Sequence, residues 1–247
     1  MSNLPRIFCE GPGSDNQVVL DADTYHYLRD VLRLKPGESI DIVSPTAVYS
    51  GQVVMISAKP PRIEIENIIS TAISPPSYPI TLIQCLPKGD KMSDIIRCCT
   101  EMGVARIIPV ISDRCVSVPK NNSRSKVDRW QAIAKSAASQ SRQSAVPVIA
   151  PIETFTTALA QINAGPTVVF WEESSMSLAT VMSTISISPT TPISIIIGPE
   201  GGLSAAEVND AIGRGGVVAS LGDTILRVEH AGLVALAQLN YAILTKD

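Results

Sequence analysis

Two stretches near the end of the chain have the composition to do chemistry. The first is Ile195-Ile196-Ile197-Gly198-Pro199-Glu200-Gly201-Gly202-Leu203-Ser204. The second, about twenty residues on, is Leu221-Gly222-Asp223-Thr224-Ile225-Leu226-Arg227. In each an apolar, strand-like run meets a glycine turn. Glycine lets a ligand approach bare backbone, and turns at the carboxyl ends of neighbouring strands are where α/β sheets bind ligands. Ser204 with Glu207 is the signature of a capped helix start. The ligand is not a polyphosphate by these residues. The Gly-Lys-Ser/Thr of a Walker loop is absent, the glycine spacing is not that of a dinucleotide fingerprint, and Glu200 would repel phosphate. Backbone groups and the apolar walls of Leu221, Ile225 and Leu226 fit a neutral or cationic ligand, and a side chain at Gly201 is expected to enter its slot.

The elements that must hold these turns follow from the rest of the chain. Its 247 residues suffice for one large or two ordinary domains. Hydrophobic residues make up 45% and aromatics 4%, so the core is aliphatic and the chain globular. The first 70 residues read as strands at 18–20, 39–43, 51–56 and 62–68, with one helix at 24–34 whose Tyr27, Leu28, Val31 and Leu32 share a face. Several short strands with one helix suggest a small barrel. The stretch 70–79 carries three prolines and no periodic pattern, and the domain boundary is placed there. Beyond it, strands at 80–86, 106–111, 168–171, 193–197 and 217–221 alternate with helices, including one from Met92 closed by Gly103 and a last one from about Glu229 to Leu244. That alternation predicts a parallel α/β sheet. Pro109 hints at an edge or a bulge, and Ser125 to Asp128 reads as a capping box.

Charge is unevenly distributed. Residues 1–96 hold 8 Lys+Arg against 11 Asp+Glu, residues 97–142 hold 9 against 3, and residues 143–247 hold 3 against 9. A basic middle inside an acidic chain is either a nucleic-acid contact or a solvated helix face. Five cysteines without a C-x-x-C, together with two histidines, argue against a disulfide framework and a metal site. They fit reduced thiols in a cytoplasmic protein. No signal-peptide pattern opens the chain, and no apolar run reaches the ~18 residues of a membrane span.

Taken together, the two glycine stretches resemble the C-terminal motifs of the SPOUT methyltransferases, and more narrowly the 16S rRNA (uracil-N3)-methyltransferase family. Other pieces agree in order: Arg6-Ile7-Phe8, His26-Tyr27-Leu28 before the Lys35-Pro36-Gly37 turn, Lys88-Gly89-Asp90-Lys91 ahead of Thr100-Glu101-Met102-Gly103-Val104, and Ala137 to Arg142 before Val146-Pro147. The resemblance spans nearly the whole chain, and the combination is what makes it specific. It implies a PUA-like N-terminal β-barrel over 1–70, a linker over 71–79, and a C-terminal SPOUT α/β domain over 80–247 with a deep trefoil knot. The cofactor implied is S-adenosyl-L-methionine and the substrate small-subunit rRNA, free or in the 30S subunit. A homodimer is implied, with neither metal nor membrane.

By family position, the cofactor role falls on Gly198, Glu200, Gly201, Leu221, Gly222, Ile225 and Leu226, and catalysis on Arg227 and Glu229. The uracil ring nitrogen carries a proton, so Arg227 is placed to stabilise an anion or to anchor phosphate; the plainer alternative is a surface arginine paired with Glu229. RNA contact is expected from Arg6, His26, Arg29, Arg33, Arg124, Lys126, Arg129 and Arg142, mainly to phosphate. Trp130 reads as core. The chain departs from the family where Val228-Glu229-His230-Ala231 replaces Thr-Glu-Thr-Ala. That leaves His230 as a base or as a backbone cap. It also keeps two alternatives open, a ribose 2′-O-methyltransferase and a non-catalytic ribosome-assembly RNA-binding protein.

Overall fold

The computed structural model describes residues 4–73, 78–116, 123–162 and 165–245. Two compact units divide the chain, one of residues 1–75 and 138–146, the other of residues 76–137 and 147–247.

The first unit is built on strands β1 (Arg6–Phe8), β2 (Gln17–Val19), β3 (Ser39–Val43), β4 (Ala47–Ala58) and β5 (Pro61–Ala72), in sheet order β1-β3-β4-β5-β2. β1 runs parallel to β3, and the other pairs are antiparallel. Alternation in these strands turns Ile7, Val18, Ile40, Ile42, Val53, Ile63 and Ile65 into one apolar core. β5 reaches Ala72, past the expected end at 68, because Val48 and Ala47 of β4 pair with Thr71 and Ala72. Residues 74–77 of the expected linker lie outside the described residues. The expected helix at 24–34 is two pieces. α1 (Ala22–His26) is capped by Asp21, and a π-helical turn over Tyr27–Val31 follows it. The wider turn shifts the register, so Leu28 is fully buried while Val31 is 61% exposed, and the shared face is lost.

The second unit is an all-parallel sheet of β6 (Ile80–Cys85), β7 (Arg106–Ile111), β8 (Val148–Ile149), β9 (Glu153–Thr154), β10 (Thr167–Phe170), β11 (Ile193–Ile197) and β12 (Val217–Ala219). The order is β12-β10-β11-β6-β7-β8, with β9 also on β7. Pro109 sits in an interior strand, neither on an edge nor at a register shift. β8 pairs with Arg106–Ile107 and β9 with Val110–Ile111, so proline falls in the gap between two short partners, where no N–H is needed.

Helices cover both faces, as a buried parallel sheet requires. They are α2 (Lys91–Glu101), α3 (Ser123–Gln140), α4 (Phe155–Ala160), α5 (Leu178–Thr184), α6 (Ala205–Gly213) and α7 (Val228–Leu244). α3 starts at Ser123, so Ser125 lies within the helix and does not cap it. Trp130 is buried. Met92, Ile95, Ile96 and Cys99 of α2 are buried as their spacing demands, and Gly103 ends the turn at φ +82°. On α7, a Cβ added at Gly232 would lie 3.2 Å from Cys99 Sγ, so the helix backbone approaches its neighbours closely. Gly232→Val is therefore expected to overpack this contact and cost about 1–3 kcal/mol. Differential scanning calorimetry should show a Tm loss of several degrees, and an unchanged Tm would mean that the contact relaxes freely.

Candidate functional site

The site is assembled at the carboxyl ends of three neighbouring strands. β11 leads into the 198–202 turn and β12 into the 220–226 loop, but the two strands are not adjacent. β10 lies between them and its exit supplies Phe170, Trp171 and Glu172. Together the three exits line a cleft of about 320 Å3. All seven residues expected to contact a cofactor line it: Gly198, Glu200, Gly201, Leu221, Gly222, Ile225 and Leu226. Val228 and Ala231 of α7 complete the wall, with Val228 buried. Among the described residues, no Lys, Arg or His lines the cleft, whereas Glu172, Glu200 and Asp223 do.

The 198–202 turn is tied down from several sides. The Lys88 N–H donates to both carboxylate oxygens of Glu200, at 3.1 and 3.2 Å, and Lys91 Nζ donates to Oε1 at 2.9 Å. Arg114 Nη1 donates to the Gly201 carbonyl at 2.9 Å. At the start of α6, Ser204 and Glu207 form the expected capping box. Asp113 locks onto both, its N–H donating to Glu207 Oε1 at 2.9 Å and its carboxylate accepting from Ser204 Oγ at 2.8 Å. A Cβ at Gly198 would come within 3.1 Å of the Leu203 nitrogen, so the turn closes on itself there. A Cβ at Gly201 would lie 3.3 Å from Arg114 Cβ. A side chain there would therefore also press on Arg114. The facing loop is held by Ser220 Oγ, which accepts from the Gly222 N–H and donates to its carbonyl, and by Gln238 Nε2, which donates to the Leu221 carbonyl.

Lys91 joins the turn to α7. Its Nζ lies 2.9 Å from Glu200 Oε1 and 3.3 Å from Glu229 Oε2, and the latter atom makes no directed hydrogen bond. Partial burial would raise the Glu200 pKa, but Lys91 and the N–H groups of Glu200 and Lys88 outweigh it and hold the carboxyl below its usual value. Glu229 is held low first by its own backbone N–H at the helix start, then by Lys91. Lys91 is pushed up, chiefly by its hydrogen bond to Glu200. The carboxylates' contribution is complete above their ordinary 4.5 and lost as pH falls through the lowered folded values. That of Lys91 is complete below its ordinary 10.5 and lost as pH rises beyond it. The clamp thus spans neutral pH. Lys91→Met is expected to lower Tm most at about pH 6–8 and least in acid, where wild type and variant converge. A Tm difference constant from about pH 3 to 8 would contradict the clamp.

Arg227 and Glu229 do not line the cleft, although they bracket Val228, which does. Arg227 is the exposed N-cap of α7, and its carbonyl accepts from the His230 and Ala231 N–H groups. It is not paired with Glu229, whose charged neighbour is Lys91. The His230 side chain is exposed at the helix start.

The residues expected to contact RNA fall in both units and are described within each. In the first unit, Arg6 is largely buried, 3.8 Å from Asp41, which also takes Arg142 Nη2 at 3.1 Å. His26 Nδ1 meets Asp30 Oδ2 at 2.6 Å, and Arg29 binds Asp30 and stacks over Tyr25. Arg33 is exposed at φ +53°. In the second, Arg124 and Lys126 are exposed on the first turn of α3, while Arg129 Nη2 donates to Asp90 Oδ2 at 2.6 Å. Trp171 and Glu172 escaped the sequence reading. The signal was the Trp-Glu-Glu following a legible strand, hidden because the place of β10 between β11 and β12 is a fact of topology.

Comparison with known proteins agrees with this geometry. The family model described as RNA methyltransferase domain matches residues 74–240. The ribosomal RNA small subunit methyltransferase E of Synechocystis sp. is 32% identical over 226 residues, spanning 90% of this chain and 72% of that protein. Its counterpart in Buchnera aphidicola subsp. Acyrthosiphon pisum is 30% identical over 240 residues, 96% and 92% of the two chains. A crystal structure of ribosomal RNA small subunit methyltransferase E from Neisseria gonorrhoeae bound to S-adenosyl methionine superposes with a TM-score of 0.83 at 28% identity, covering 97% of this chain and 98% of that one. With its glycine turns, its parallel sheet and these relatives, the chain belongs to the RNA methyltransferase family that includes the small-subunit methyltransferases E.

Proposed function

We propose that this protein methylates ring N3 of a uridine in small-subunit rRNA, using S-adenosylmethionine held in the cleft at the ends of β10, β11 and β12. The observation that carries this reading is the cleft itself. Bare glycine backbone, apolar walls and an acidic lining without a cation among the described residues suit a cationic, partly apolar cofactor and repel phosphate. The backbone groups of the 198–202 turn and the 221–226 loop would hold its adenosine part, with Leu221, Ile225 and Leu226 against the base. When bound, S-adenosylmethionine supplies an electrophilic methyl group on a sulfonium.

The chain's own residues do the rest. The uracil N3 proton must leave and the anion must be stabilised. Arg227, exposed beside the cleft wall, offers a guanidinium for that anion. Glu229, held below its usual pKa and paired to Lys91, is a weak base and serves to position Lys91. Arg33, Arg124 and Lys126 present exposed cations to RNA phosphates, while Arg6 serves the packing around Asp41.

Residues 1–70 correspond in this reading to a PUA-like RNA-binding barrel, 71–79 to a linker and 80–247 to a SPOUT domain. Placement of β11 between two strands that precede it in the chain supports a trefoil knot there. A cytoplasmic homodimer acting on free rRNA or the 30S subunit completes the proposal. The test is nucleoside mass spectrometry of 16S rRNA and of 30S subunits incubated with protein and S-adenosylmethionine. 3-Methyluridine is the expected product. A 2′-O-methylated nucleoside, or none from either substrate, would overturn it.

A further inference from the structure

The cleft opens onto a second, larger cavity of about 760 Å3, walled by Ser174, Ser177, Leu178, Met182, Gln238 and Tyr241 among others. Among the described residues, Glu172 and Asp223 are the only charged ones lining this cavity, and both also line the cleft, so they stand where the two meet. Neither makes a hydrogen bond or ion pair with any described residue. Glu200, the remaining acidic residue of the cleft, is already matched by Lys91. Glu172 is the better placed of the two. Its carboxylate crosses Gly202, where an added Cβ would fall 1.9 Å from Oε1, so the approach depends on the absence of a side chain. Beside it in the same wall, the buried Trp171 Nε1 has no hydrogen-bond partner.

We infer that Glu172 determines specificity by favouring the positively charged cofactor over its neutral product, S-adenosylhomocysteine. The inference rests on the proposed reading of the cleft. Methyl transfer converts the sulfonium to a thioether and removes one positive charge from the ligand. A carboxylate that no described cation neutralises, at the edge of a cleft lined by no described cation, attracts the net-cationic first ligand more than the zwitterionic second. The consequence is weaker retention of the spent cofactor than of the fresh one.

The experiment is isothermal titration of the full chain with each ligand in turn, for wild type, Glu172→Gln and Glu172→Asp. Glu172→Gln is expected to weaken S-adenosylmethionine by roughly three- to tenfold, with S-adenosylhomocysteine within about twofold of wild type. Glu172→Asp, which keeps the charge, should retain most of the preference. Should Glu172→Gln fail to fold, wild type alone decides: its preference for S-adenosylmethionine must shrink as salt is raised. Equal loss of both ligands, no loss of either, or a preference indifferent to salt would each overturn the inference while leaving the cofactor site intact. Wild type that binds neither ligand would remove the site and the inference together.

Discussion

Arg227→Ala is expected to reduce turnover by about 10²–10³, with cofactor affinity nearly unchanged. The size follows from the role proposed for the residue in uracil-N3 methylation. A uracil nitrogen that has lost its proton develops charge on the ring, and an oriented guanidinium stabilises that charge more in the transition state than in the ground state. The structure leaves Arg227 available for this. It caps α7 through its backbone, lies outside the cleft lining, and is not consumed by Glu229. Arg227→Lys should recover only part of the rate, because an ammonium lacks the planar fork. Single-turnover kinetics at saturating cofactor and RNA would measure it. A raised KM for RNA with kcat preserved would show instead that Arg227 anchors phosphate.

Gly202→Val is expected to weaken S-adenosylmethionine binding by about 10- to 100-fold. Two costs act at one position. Gly202 sits at φ +69°, a left-handed conformation that a β-branched residue resists. Its Cβ would also occupy the place of Glu172 Oε1 and drive that side chain away. The turn cannot relax easily, since Lys88, Lys91, Arg114 and the capping box fix it from the other sides. Calorimetric titration reads the affinity, and circular dichroism checks that the sheet remains. Affinity equal to wild type would separate this turn from cofactor binding. By contrast, Gly201→Val acts through Arg114 and should be milder.

Much of this was legible in the sequence because buried parallel strands are written as apolar β-branched runs. β3, β7 and β11 occupy the ranges their residues predict, and α7 starts within one residue of the expected position. The glycine turns were legible because glycine adopts the positive φ seen at Gly202 and Gly222 at least cost. What failed depended on register or on tertiary order. The π turn after α1 spoiled the apolar face of Val31 and Leu32, since periodicity assumes 3.6 residues per turn. Pro109 proved interior because two short strands share β7 between them, which no local pattern reveals. Partner choice was hidden as well. Arg6 is buried beside Asp41, and Lys91 bridges Glu200 and Glu229, residues far from it in the chain.

A crystal structure of the chain grown with S-adenosylmethionine tests the central claim most directly. The predicted result is cofactor density between the 198–202 turn and the 221–226 loop, with the exit of β10 as the third wall. A cleft filled by the protein's own side chains, with the cofactor bound elsewhere, would contradict it.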